Sequence, residues 1–298
     1  VILEWTGGDR VEWLERLNSA LDYIEEHLAD DIQTNEAARI ACCSTYHFQR
    51  MFSYIAGVPL AEYIRRRRMT MAAFALQQSD VRVIDLALRF GYDSPTAFNR
   101  AFQSVHGMPP TAAKEAGVTL HTYPRISFHI SIKGDAKMDY RIEDKGALRI
   151  IGLKTGMDKD MEKNFRTIPK FWLETAQSEA MQKLRTMMDT PLKGVLGVSA
   201  CAGAEEWEYY IAVASTLPLL KEFPQMCEYT VPAGTWAVFP GTGVMPGAIQ
   251  ALEKRVVTEW LPTSGYEYAN APDIEVYLTA DPQNTVFEVW LPIVKKNA

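Results

Sequence analysis

The sequence predicts two domains of different class: an all-α N-terminal domain with two helix-turn-helix units, and an α+β C-terminal domain of two pseudo-symmetric strand–helix–strand–strand units. Three observations carry this reading. Two helical segments repeat fifty residues apart, each with its own start and stop signals. Beyond residue 125 the pattern changes to short strands, and these repeat as well. A chain of 298 residues with 47% hydrophobic content is also long enough for two cores. The expected boundaries are 1–116 for the helical domain, 117–124 for a linker and 125–298 for the second domain.

The helical repeat is STYHFQRMFSYIAGVPL, from Ser44 to Leu60, over SPTAFNRAFQSVHGMPP, from Ser94 to Pro110. Matched positions are Ser44/Ser94, Phe48/Phe98, Arg50/Arg100, Phe52/Phe102, Gly57/Gly107 and Pro59/Pro109. Serine is an N-cap. Phenylalanines four apart share one face and can be buried, while the arginine lies on another. Glycine stops the helix, with proline two residues on. Before each segment comes a short apolar helix and a turn: Thr34 to Cys43, with Thr34 as its cap, and Val81 to Asp93, with Gly91 in the turn. Ala38 and Ala87 are small enough for two helices to cross closely. Short helix, tight turn and second helix form the unit that enters a major groove of DNA. Between the units, Ala61 to Gln78 is a strong helix former. It would hold the readers near the roughly 34 Å spacing of successive major grooves.

The charge distribution agrees with nucleic acid as partner. The chain is net −6, but from Arg39 to Lys114 ten cations face four anions, a local +6. Acidity collects in the first helix, at Glu12, Glu15, Asp22, Glu25 and Glu26, and in the second half. Arg50 and Arg100 can make bidentate bonds to guanine, and Gln49 and Asn99 suit adenine. Tyr46 and Thr96 can pack on a thymine methyl or reach a phosphate. Arg65 to Arg68 point in four directions on a helix. At most two can face one phosphate strand, and salt bridges are their other use.

Residues from about 11 to 116 resemble the DNA-binding domain of AraC-type transcriptional regulators. The resemblance rests on HFQRMF, on the run from Gly57 to Arg67, on the turn from Gly91 to Ser94 and on the Gly-Met-Pro-Pro end. It implies base contacts by Thr45, Tyr46, Gln49 and Arg50 in the first reader and by Pro95, Thr96, Asn99 and Arg100 in the second. With the capping Ser44 and Ser94 these make the expected contact set for double-stranded DNA. Cys42 stands where the family usually has the turn glycine, which alters the first turn. Pro95 replaces a residue that often contacts DNA, which implies looser second-site specificity, although proline suits a first helical turn.

In the second half, RISFHISI, ALRIIGLKTG, GVLGVSA, EYYIAVAS, TWAVFPGTG, DIEVYLTA and VFEVWLPIV read as strands bounded by Gly, Pro and Asp. Helical stretches lie around Lys159 to Met188 and Pro246 to Trp260. Gly146 leads after 26 residues to Trp172-Leu173, and Gly234 after 26 residues to Trp260-Leu261. Glu208-Tyr-Tyr-Ile parallels Glu288-Val-Trp-Leu. Two such units make one antiparallel sheet with both helices on one face, and leave the other face concave. Alternation assigns Phe287, Val289, Leu291 and Ile293 to the helix side, with Ile274, Val276 and Leu278. Glu288, Trp290, Glu275, Tyr277, Glu208 and Tyr210 then converge on the concave face. Carboxylates among aromatic rings suit an amphipathic, cationic effector. An ordinary solvated sheet face is the other reading of the same pattern.

Residues 125 to 298 resemble the GyrI-like effector-binding domain that follows an AraC-type domain in some bacterial regulators. The matching pieces are Gly-Thr-Trp-Ala-Val-Phe, Glu-Trp-Leu-Pro, Ile-Glu-Val-Tyr and the closing Glu-Val-Trp-Leu-Pro-Ile. In related drug-sensing domains a buried glutamate pairs with cationic lipophilic ligands, and Glu288 matches that position best. The expectation is a bacterial regulator that reads an asymmetric site and senses a small molecule. Two alternatives stay open. One is a DNA-tethered GyrI-like hydrolase with Glu288 or Glu208 as base or nucleophile. The other is a ligand-free regulator whose second domain contacts a protein such as RNA polymerase. No catalytic residue, cofactor or metal is expected, because Cys42, Cys43, Cys201 and Cys227 and five scattered histidines lack ligand spacing. No apolar run approaches ~18 residues and no secretory signal is read, so a cytoplasmic protein without membrane contact is expected.

Overall fold

The computed structural model describes residues 8–115, 117–128, 137–201 and 206–296. Six helices build the first half: α1 (Gly8–Glu26), α2 (Thr34–Ile40), α3 (Thr45–Ala56), α4 (Leu60–Gln78), α5 (Val83–Arg89) and α6 (Pro95–His106). The caps of the two repeated helices, α3 and α6, behave as the sequence predicts. Ser44 accepts from the His47 amide and Ser94 from the Ala97 amide. Gly57 and Gly107 close their helices at φ 70° and 74°. Gln33 rather than Thr34 caps α2, and without a side-chain bond. The two units α2–α3 and α5–α6 bury their repeated pairs alike. Phe48 and Phe52 have ring centroids 6.5 Å apart, Phe98 and Phe102 6.0 Å. The 19 residues of α4 span roughly 28 Å between them.

The four arginines of α4 are engaged within the fold. Arg65 and Arg66 pair with Glu62, Arg67 forks onto Glu25, and Arg68 donates to the Leu28 and Asp30 carbonyls. The segment after the last helix is strapped down rather than loose. Arg67 donates to the Tyr123 carbonyl at 2.7 Å, and the Phe128 amide donates to Asn18 at 2.9 Å. The expected strand at Arg125 is absent through Phe128, and its remainder, 129–132, lies outside the described residues.

Strands of the second half are β1 (Arg141–Lys145), β2 (Leu148–Met157), β3 (Val195–Ala200), β4 (Trp207–Ala214), β5 (Cys227–Val231), β6 (Gly234–Gly243), β7 (Tyr266–Tyr268), β8 (Asp273–Tyr277) and β9 (Thr285–Lys295). The sheet order is β1-β6-β9-β8-β3-β4-β2-β5, antiparallel throughout, with β7 on β9. A pseudo-twofold between β3 and β8 relates the halves. The predicted units are present: β2, helices and β3-β4; β6, helix and β8-β9. Each is preceded by a strand the sequence did not declare, β1 or β5, which is exchanged onto the other unit.

Helices α7 (Met161–Ala176) and α8 (Glu179–Thr186) cover one half of the sheet, and α9 (Gly247–Arg255) with a π-helical turn, Val256–Trp260, the other. Ser178 caps α8 and so breaks the single helix expected over Lys159 to Met188. Phe287, Val289, Leu291 and Ile293 pack under α9 as alternation predicts. That cluster runs on without interruption into Leu17, Phe48 and Phe52, so one apolar core joins the two halves. The opposite sheet face is also apolar and buried, around Trp236, Trp290, Val198 and Val276.

Candidate functional site

The two reader helices have opposite surroundings. Along α6, Pro95, Thr96, Asn99 and Arg100 are exposed and Ser94 is half-buried, as a groove-facing surface requires. Along α3, Tyr46, Gln49 and Arg50 are buried, Arg50 to 8% exposure, and of the expected contact residues only Ser44 and Thr45 keep partial access. The expectation of an outward, solvent-facing Arg50 is corrected: it points out of its own domain into the second one.

There Arg50 meets two buried carboxylates. Its guanidinium donates to Asp273 Oδ2 at 2.7 Å and to Glu253 Oε1. Tyr54 Oη donates to the other oxygen of Glu253 at 2.5 Å, and His47 Nε2 lies 3.3 Å from Asp273. His47 stacks on Tyr268 with centroids 4.0 Å apart, and Tyr46 meets the Trp207 edge at 5.4 Å. Burial disfavours both ionised partners, yet the pairing outweighs it. The Asp273 carboxyl is held below its ordinary range against burial by His47 and Arg50, and Arg50 is held well above its own, chiefly by Glu253. Glu253 lies in α9 and Asp273 opens β8. Neither carried a signal in the sequence, because each acquires its role only when a helix some 200 residues away packs on it.

Beside this clamp lies a cavity of about 1420 Å³. It sits on the helix side of the sheet, where α7 and α9 diverge over the pseudo-twofold. From α7 come Met161, Phe165, Ile168 and Trp172, at helical spacing; from the sheet, Tyr209, Glu275 and Tyr277; from α3, Tyr46, Arg50 and Tyr54. Glu275 Oε2 accepts from Tyr209 at 2.9 Å and Tyr277 at 2.7 Å. Trp172 Nε1 donates to the Tyr209 hydroxyl at 2.8 Å and its ring meets Tyr277 edge-on at 4.8 Å. Gly197 makes this possible: a Cβ there would stand 2.2 Å from the Tyr209 hydroxyl and 2.7 Å from the Glu275 carboxylate. Burial first, and then the neighbouring Glu253, push the Glu275 carboxyl up to about 7.

The six residues expected on one concave face do not share one. Register pairs Ile274 with Trp290, Val276 with Glu288, Glu275 with Val289 and Tyr277 with Phe287. Directly paired residues point the same way, so Glu275 and Tyr277 face the helices and the cavity. Glu288, Trp290, Glu208 and Tyr210 face the other side. There Glu288 takes Arg141 and the Trp290 indole, both at 2.8 Å, and Glu208 takes Lys154 at 2.6 Å and Tyr210 at 2.5 Å. The parity of β8 was misjudged because its apolar residues were sent to the helix side. That side holds a cavity there, and the opposite side is a second core. Tyr209, Trp172 and Glu253 were missed. In β4 nearly every residue is aromatic or apolar, so alternation could not choose Tyr209 over Tyr210.

Comparison with known proteins matches the halves separately. A GyrI-like small molecule binding domain matches residues 138–294, and a helix-turn-helix domain matches residues 37–116. The uncharacterized HTH-type transcriptional regulator YbfP of Bacillus subtilis is 38% identical over 96 residues, 32% of this chain and 32% of that protein, so the match spans about a third of that relative. The HTH-type transcriptional activator AarP of Providencia stuartii is 37% identical over 95 residues, 32% of this chain and 70% of that protein. A Staphylococcus aureus bacterial transcription regulation protein of known structure aligns over 53% of this chain and 99% of its own at 22% identity, with a TM-score of 0.45.

Proposed function

Because this chain belongs to the AraC-type transcription regulators that carry a C-terminal GyrI-like small-molecule binding domain, we propose that its effector is an amphipathic organic cation held in the cavity between α7 and α9. The observation that carries this reading is Glu275, a carboxylate set in an aromatic cage of Trp172, Tyr209 and Tyr277 at the bottom of an otherwise largely apolar space. The aromatic faces and the carboxylate attract a desolvated cation together. Methionine, phenylalanine and isoleucine side chains of α7 accept its apolar body without demanding one shape.

DNA is read by α6 through Thr96, Asn99 and Arg100, with Ser94 and Pro95 at the helix start, and by α3 through Thr45, Tyr46, Gln49 and Arg50 once it is released. Bidentate arginine and amide contacts fix bases, while the capped helix starts lie toward the phosphates. The +6 balance between Arg39 and Lys114 supplies the non-specific attraction.

Two isosteric probes of opposite charge test the cavity. Tetraphenylphosphonium should raise the thermal midpoint of the full chain and tetraphenylborate should not. Glu275→Gln should erase the difference, and Glu288→Gln, on the far face, should leave it. Equal stabilisation by both ions, or selectivity lost with Glu288 and kept with Glu275 replaced, would sink the assignment.

A further inference from the structure

We infer that Arg50 couples effector to DNA: Glu253 and Asp273 hold its guanidinium away from DNA, and an organic cation settling beside Glu275 displaces it and frees α3. The inference deepens the effector reading above and rests on it.

Geometry puts clamp and cage on the same elements. Asp273, Glu275 and Tyr277 alternate along one face of β8, so the clamp carboxylate and the cage carboxylate are two residues apart, roughly 7 Å. Glu253 binds Arg50 and Tyr54 and also lines the cavity. Tyr46, Arg50 and Tyr54 form a wall of that cavity. A ligand filling it therefore touches the helix that it must release.

Charge decides the sign of the coupling. Two carboxylates, Glu253 and Asp273, pair with one buried guanidinium, with His47 beside Asp273, and a third, Glu275, lines the same cavity. The other cations of the cavity wall, Arg185, Lys193 and Lys254, are exposed. A second positive charge brought to Glu275 is attracted by the carboxylates and repels Arg50 at close range in a poorly screened space. It can take over the neutralisation of Glu253 while Arg50 is rehydrated on a freed α3. A neutral or anionic ligand of the same shape has no such effect. Linkage then requires that DNA, by drawing Arg50 out, tighten the cation by the same factor.

Hydrogen exchange of the α3 peptide and affinity for a duplex selected from a randomised pool by the full chain read this directly. Saturating tetraphenylphosphonium should speed exchange over Thr45–Ala56 and tighten the duplex about tenfold, within the usual range of allosteric coupling. A chain carrying both Glu253→Gln and Asp273→Asn should exchange α3 rapidly and bind the duplex tightly without any probe, and the phosphonium should add nothing. If the phosphonium binds and α3 stays protected, or the duplex weakens, this inference falls and the effector reading survives. If the phosphonium does not bind, both fall together. If the double variant keeps α3 protected while its circular dichroism is native, the ion pairs do not hold the helix and the inference is overturned.

Discussion

Helices α3 and α6 carry the same caps, the same phenylalanine pair and the same arginine two residues after the first phenylalanine. One is bare and the other is covered. The whole difference comes from outside the repeat: α9, β7 and β8 of the second domain pack on α3, and nothing among the described residues packs in that way on the outer face of α6. A duplicated motif thus does not guarantee duplicated availability. In this state the chain presents one reader, and the second is kept behind a contact that contains both an apolar core and buried charge.

The sharpest way to break the comparison is to truncate both arginines. Arg50→Ala leaves Glu253 and Asp273 buried without their shared cation, which should cost up to about 3–5 kcal/mol in chemical denaturation of the full chain. Arg100→Ala at an exposed site should stay within about 0.5 kcal/mol. Equal losses would mean that the two helices are equally exposed in solution.

DNA affinity should rank them the other way. Arg100→Ala should cost about 1–3 kcal/mol on a selected duplex and relax the preference at one base pair. In the same ligand-free chain Arg50→Ala should cost less, because α3 is withheld, and the gap should close when the phosphonium is added. A uniform loss on all duplexes from Arg100→Ala would leave it a phosphate contact only.

How much of this was legible follows from where each determinant lies. Ser44, Ser94, Gly57, Gly107 and the phenylalanine pairs act within a few residues, so their roles could be read locally and are what the structure displays. The alternation of β9 was legible too, because Phe287, Val289, Leu291 and Ile293 face a packed core. β8 was inverted because a cavity wall is polar and the opposite face is apolar. β1 and β5 went unread because they are short strands with mixed exposure, paired by exchange between units rather than with their neighbours in sequence. Arg50 could not be told from Arg100, since what separates them is a helix and a strand some 200 residues further on.

The control group itself gives a smaller effect. Glu275 titrates near 7 in the folded chain, raised by burial and by Glu253. Only its ionised form attracts a cation, so phosphonium affinity should fall about tenfold per pH unit below 7 and level off above it. The sign for stability is opposite. A carboxyl whose folded value is raised binds more protons folded than unfolded between its ordinary value and 7, so its contribution is full at low pH and is lost as pH rises through 7. Glu275→Gln should remove both dependences, and titration by calorimetry and by denaturation reads them separately. A phosphonium affinity that does not change with pH would place the binding carboxylate elsewhere.

The smallest expected effect lies in the turns that launch the two readers. Gly91 sits at φ 74° and Cys42, at the matching place, at φ 54°. The left-handed region costs a side chain roughly 1–2 kcal/mol and glycine almost nothing. Cys42→Gly should therefore stabilise the chain, by up to about 1 kcal/mol after the entropy that glycine adds to the unfolded state. Gly91→Ala should destabilise it by a similar amount. The cause there is conformation rather than crowding, since a Cβ on Gly91 would meet only the Arg68 guanidinium at 3.6 Å, an ordinary contact. If Cys42→Gly gains nothing, the thiol contributes to the α2–α3 turn in a way that offsets its strain. The two units would then differ in their turns as well as in what covers them.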